Sequence, residues 1–144
     1  MIRIEKALTQ PVPSDLYMIG APEDVLFFDI ETTGLSARSA GLYLIGILTY
    51  TADASIAKGT HTAASSDEAQ ISSVPSAKSA AIAPTSDDEG GHWTLLQFFC
   101  EDVADEPAVL QAFFALLRTK KTLISYNGDG FDIPFLRHML EQYG

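Results

Sequence analysis

The stretch Val25-Leu26-Phe27-Phe28-Asp29-Ile30-Glu31 most constrains what this chain can fold into. Its leading residues are aliphatic and aromatic, which predicts a strand over about 25–31. Side chains alternate between the two faces of a strand, so Asp29 and Glu31 share one face while Phe28 and Ile30 share the other. Like charges held that close repel unless a proton or a cation lies between them. A hard divalent cation with oxygen ligands, Mg²⁺ or Mn²⁺, suits such a pair. A second stretch, Tyr126-Asn127-Gly128-Asp129-Gly130-Phe131-Asp132-Ile133-Pro134, adds the carboxylate of Asp132 after a strand and at the mouth of a predicted helix.

The pattern around these stretches predicts an α/β domain over residues 25–144, preceded by a lead-in of 1–24. Pro11, Pro13 and Pro22 break the lead-in, which reads as irregular. Leu42 to Tyr50 is aromatic and β-branched enough for a second strand, and the short connection makes an antiparallel pair natural. His92 to Cys100 reads as a third strand. Apolar residues at Val109, Leu110, Phe113, Phe114, Leu116 and Leu117 give a helical stripe over 106–119, with Asp105 or a neighbour as cap and Pro107 in the first turn. Thr122 to Tyr126 reads as a fourth strand and Phe131 to Tyr143 as a second helix. Three meandering strands followed by helix, strand and helix give a mixed sheet, with the fourth strand parallel to the first and the first helix as the crossover. That arrangement brings the end of the first strand beside the loop that carries Asp132.

Between the second and third strands the composition changes. Residues 51–91 hold 18 Ala or Ser among 41 and no aromatic residue. So little apolar surface does not offset the entropy of ordering, and the segment reads as a low-complexity, disordered insertion. It also carries six acidic and two basic residues, which is −4 of the chain's net −10. An acidic chain lacks the broad basic surface of a general nucleic-acid binder, although a bound cation inverts the sign of a carboxylate-lined cleft locally. No apolar run approaches the roughly 20 residues of a membrane span, and the N-terminus lacks a secretory signal pattern. The single Cys100 forbids an intrachain disulfide and fits the cytoplasm. It ends an apolar run with no activating base nearby, so it reads as a structural thiol. Arg118, Lys120 and Lys121 follow the first helix, where solvated cations complement the helix dipole.

Taken singly, each motif has a plainer explanation. An Asp-x-Glu pair can be a solvated edge, Asp132 a helix cap, Asn127-Gly128 a turn, Leu35 ordinary core and Phe131 helix packing. Together and in order they are more specific. FFDIETTGL resembles the first motif of the DEDD 3′–5′ exonuclease superfamily, whose fold is ribonuclease H-like. YNGDGFDIPFL resembles its second motif, in a form similar to the proofreading domains of family B DNA polymerases. Overall the chain is most similar to the bacterial YprB-type ribonuclease H-like family of predicted exonucleases, which shares an LYLIGI-type strand. The resemblance covers about 25–50 and 92–140.

That resemblance implies Asp29, Glu31 and Asp132 as catalytic metal ligands for two Mg²⁺ or Mn²⁺ ions. It implies contacts from Thr32, Thr33 and Gly34 to the 3′-terminal nucleotide, with Leu35 against its base and with Asn127 and Phe131 lining the cleft. The implied activity is two-metal hydrolysis of nucleic-acid phosphodiesters from a single-stranded 3′ end. The family's fourth carboxylate belongs to a third motif on a later helix, beside a Tyr or His, and these 144 residues contain no such motif. The fold is therefore expected to be C-terminally incomplete, and this chain a weak or inactive exonuclease. The alternative is a non-catalytic module of the same fold that binds nucleic acid or a protein partner.

Overall fold

The computed structural model describes residues 1–52 and 90–144. The expected disorder of 51–91 falls almost wholly outside those residues. At its margins the strands run further than expected, to Ala52 on one side and from Gly91 on the other.

Five strands form one mixed sheet: β1 (Ile2–Leu8), β2 (Val25–Thr32), β3 (Leu42–Ala52), β4 (Gly91–Phe99) and β5 (Thr122–Ile124), in the spatial order β1-β4-β3-β2-β5. The pairs β2–β3 and β3–β4 are antiparallel, and β5 lies parallel to β2, as the pattern predicts. Helix α1 (Glu106–Leu117) precedes β5, and α2 (Ile133–Tyr143) follows it.

The N-terminal lead-in is not wholly irregular. Ile2–Leu8 pairs antiparallel with β4 along its full length and forms the outer edge of the sheet. The signal was alternation, with Ile2, Ile4 and Leu8 on one face and Arg3 and Glu5 on the other. The prolines that suggested irregularity fall only after this strand has ended. The lead-in continues through two short helical turns, Ser14–Met18 and Pro22–Asp24.

The alternation along β2 gives the sheet two cores. Leu26, Phe28 and Ile30 point to one face and join Ile45, Ile47, Leu96 and Phe98 beneath α1 and α2. Val109, Leu110 and Phe113 supply the α1 stripe, with the Phe113 ring 5.3 Å from that of Phe28. Phe135, Leu136 and Met139 supply the α2 stripe. Truncating a ring such as Phe113 in this layer removes roughly 3–5 kcal/mol. On the opposite face, Val25, Tyr50 and Trp93 pack beneath Leu16 of the lead-in, with Leu8, Val12, Phe27 and Leu48 around them. That smaller core covers one end of the face and leaves the end bearing Asp29 and Glu31 open.

Two terminal details differ from expectation. Asp105 precedes α1, but its side chain makes no capping bond. Its carboxylate instead accepts the Glu101 N–H and pairs with the amino group of Met1 at 2.6 Å. Lys120 and Lys121 are not simply solvated. Lys120 Nζ donates to the Glu23 carbonyl, and Lys121 pairs with Asp24 at 2.7 Å, tying the end of α1 to the lead-in. Among the described residues, no helix is long and apolar enough to cross a membrane.

Candidate functional site

Asp29 and Glu31 lie on the open face near the end of β2, and both are exposed. Neither has an ion-pair or hydrogen-bond partner among the described residues. The fold accordingly leaves two like charges uncompensated on one side of a central strand. Two unpaired carboxylates match the donor set a hard divalent cation takes.

The turn that follows is built by its own polar groups. The β2–β3 register shifts between Glu31 and Thr32, and after the Thr32–Leu42 pair the chain leaves the sheet. Thr33 N–H donates to the Gly41 carbonyl at 2.9 Å, and Gly41 N–H donates to Thr33 Oγ1 at 2.8 Å. Thr32 Oγ1 donates to the Gly34 carbonyl at 2.8 Å. Both threonine hydroxyls therefore hold the turn in shape. Leu35, at its tip, is 90% exposed and belongs to neither core.

Asp132 is placed differently. A π-helical turn, Gly128–Asp132, leads into α2, and the Ile133 N–H donates five residues back to the Gly128 carbonyl. Asp132 precedes Phe135 by three residues and Leu136 by four, so it continues the inward stripe of that helix. It is 2% exposed, makes no capping bond, and accepts a hydrogen bond from Ser125 Oγ. Asp29 and Glu31 are thus exposed on β2, whereas Asp132 is buried and bonded to Ser125. Among the described residues, no three His, Cys, Asp or Glu side chains are grouped so as to hold a metal ion.

Beside this turn is a cavity of about 380 Å³ whose lining includes Phe28, Tyr126, Asn127 and Gly130. Asn127 thus borders an open space, whereas Phe131 stacks towards Phe135 at 5.6 Å and packs against the core. Tyr126 is fully exposed at the mouth of the same cavity. The sequence analysis ended a strand at Tyr126, but β5 stops at Ile124 and leaves Tyr126 in the loop.

Glu106 was also missed. It is a carboxylate at the start of α1 that is 2% exposed, accepting the Leu42 N–H at 2.9 Å on one oxygen and the Tyr143 hydroxyl on the other. Its neighbour Pro107 drew attention as a helix-start signal, and nothing local distinguished Glu106 from a solvated first-turn acid. Burial, with the Glu106 and Asp105 charges nearby, pushes the Cys100 thiol up to about 11. Cys100 is therefore protonated at neutral pH, in keeping with a structural thiol.

A family model described as the RNase H superfamily matches residues 26–85 and 81–144, together most of the chain. The strand order, the parallel β5 and the helices agree with that fold. The chain belongs to the RNase H superfamily, a nuclease-like, nucleic-acid-related class of domain. Comparison with curated proteins returns no match, and comparison with solved structures returns none either.

Proposed function

We propose that this chain is a metal-dependent, 3′–5′ exonuclease-like domain acting on nucleic-acid phosphodiesters. The observation that carries the reading is the unpaired Asp29 and Glu31 pair on an open sheet face, in a chain of this superfamily. In this reading Asp29 and Glu31 hold a Mg²⁺ or Mn²⁺ ion. When bound, the ion supplies Lewis-acid polarisation of a phosphate oxygen and a more acidic bound water. The residues themselves do the positioning. The hydrogen-bonded turn at Thr32, Thr33 and Gly34 presents backbone groups and the exposed Leu35 towards a terminal nucleotide. Asn127 and Tyr126 border the neighbouring cavity, with Phe131 supporting that loop from the core side. Asp132 is the proposed third carboxylate, acting when its side chain turns from Ser125. In this reading the substrate is a single-stranded 3′ end and the domain works in the cytoplasm, which suits a chain with one cysteine and no intrachain disulfide.

The test is Mn²⁺ titration by electron paramagnetic resonance, together with digestion of end-labelled single-stranded DNA and RNA. Mn²⁺ binding that Asp29→Ala weakens by about 10–100-fold is expected. Unchanged Mn²⁺ affinity in that variant would remove the basis of the reading.

A second reading, a binding module without turnover, draws on the engagement of Asp132 with Ser125. It is separated by the same assays. Metal-dependent oligonucleotide binding without shortening of the label favours the module, and shortening from the 3′ end favours the enzyme.

A further inference from the structure

We propose that Gly46 is the bare patch of sheet on which the nucleic-acid backbone lies beside Asp29. This rests on the metal-site reading of Asp29 and Glu31 and extends it to the surface next to them.

Gly46 stands directly opposite Asp29 in the β2–β3 ladder and opposite Gln97 in the β3–β4 ladder. Its Cα therefore lies in the same row as Asp29 on the open face. A glycine in a strand interior costs about 0.5–1 kcal/mol relative to alanine, so its presence calls for a reason. The described residues supply none. Among them, a Cβ built at Gly46 would meet no atom closer than the Asp29 carbonyl oxygen, at 3.9 Å, an ordinary contact distance. Its backbone is not in the left-handed region that favours glycine. Ile45 and Ile47 on either side fill the helix-covered core, and Gly46 points away from that core.

A strand glycine often marks a bulge, a tight bend or a place where a ligand or another backbone comes close; the ladders run through Gly46 without a register shift, which leaves the close approach. The approaching group must be compatible with two adjacent unpaired carboxylates and with the half-exposed Leu44 and Phe99 in the next row. A phosphodiester chain bridged to Asp29 and Glu31 by a cation meets both conditions. Its phosphate sits at the acidic pair, and its sugar crosses Gly46 towards the apolar row. A side chain at 46 would stand where that sugar lies.

The consequence is an opposition between stability and binding. Gly46→Ala is expected to melt at or above the parent's midpoint, because its Cβ stiffens the strand and meets no described atom closer than 3.9 Å. Mn²⁺ affinity by paramagnetic titration should stay within about twofold of the parent, since Asp29 and Glu31 are untouched. Affinity for a fluorescent single-stranded oligonucleotide, measured with Ca²⁺ present, should fall about tenfold or more for Gly46→Val, the scale of an overpacked contact. A lowered melting point in Gly46→Ala would show that the fold itself needs the glycine and would overturn the proposal. So would parent-like oligonucleotide binding by Gly46→Val in a protein whose Mn²⁺ binding Asp29→Ala weakens. Mn²⁺ binding insensitive to Asp29→Ala would instead remove the underlying site reading, and the proposal with it.

Discussion

Glu106 accepts the backbone N–H of Leu42 at 2.9 Å, across 64 residues of sequence. The helix that crosses the sheet thereby grips the first residue of β3, where the turn after Asp29 and Glu31 re-enters the ladder. Tyr143 donates its hydroxyl to the same carboxylate, so the far end of α2 joins the clasp. Gly41 lies against the same carboxylate, since a Cβ there would come within 2.9 Å of Glu106 Oε1.

Replacing Glu106 by Ala leaves a buried N–H and a hydroxyl without an acceptor, and should cost about 2–3 kcal/mol. Glu106→Gln keeps an oxygen for the Leu42 N–H and should cost about 1 kcal/mol or less. Urea unfolding monitored by Trp93 fluorescence measures both. Equal losses in the two variants would show that charge, not the acceptor oxygen, matters at this position.

The same clasp gives a pH dependence. The hydrogen bond to Glu106, with partial burial and the Glu106 charge, pushes the Tyr143 phenol up to about 12 from its ordinary value of 10.0. Its folded value exceeds its unfolded one, so the stabilisation is fully present below pH about 10 and is lost as pH rises through about 12. The phenol is partly exposed, so solvent screening keeps the loss modest. Stability of the parent should decline across that window more steeply than stability of Tyr143→Phe, as followed by denaturant midpoints at pH 9, 10.5 and 11.5.

Asp132→Asn separates two roles for that residue. The amide retains an oxygen for the Ser125 hydroxyl but loses the charge. A residue that serves only the turn should leave Mn²⁺ affinity and oligonucleotide trimming unchanged. The proposed third carboxylate should lose about 10-fold or more in one or both. Circular dichroism of the variant, expected to match the parent, confirms that the turn survives.

Ala52 pairs with Gly91 at the outer end of the β3–β4 ladder. The two ends of the intervening segment therefore stand side by side, as in a hairpin. Deleting residues 53–90 and closing Ala52 to Gly91 with a two-residue Asn-Gly turn should preserve cooperative thermal unfolding. A midpoint lowered by more than about 5 °C, the scale of roughly 1 kcal/mol in a domain this size, would show that the segment contributes to the fold.

Local periodicity carried most of the architecture. Strands β2, β3 and β4 and the stripe of α1 were legible because alternation and 3.6-residue spacing are properties of adjacent residues. Asp29 and Glu31 sharing a face followed from the same parity. β1 was missed because the prolines after it outweighed a short alternation that exposes nearly every side chain. Asp132 could not be placed from sequence, because a π-helical turn alters the spacing between Asn127 and the helix. Whether its carboxylate faces solvent or Ser125 depends on that geometry. Glu106 and Gly46 owe their character to partners 64 and 17 positions away. No local pattern encodes such pairings.

The parity of β2 bears on which changes a lineage can absorb. Phe28 and Ile30 serve one face and Asp29 and Glu31 the other, so gaining or losing a single codon within 25–31 exchanges them. Acids would enter the helix-covered core while aromatic and aliphatic groups turned outward, and stability and chemistry would fail together. Point substitutions there can be graded, but length changes cannot. The stretch between Ala52 and Gly91 joins two paired strand ends, so a change in its length leaves the sheet parity untouched. Length variation among descendants of this gene should therefore gather there and be missing from the eight residues of β2.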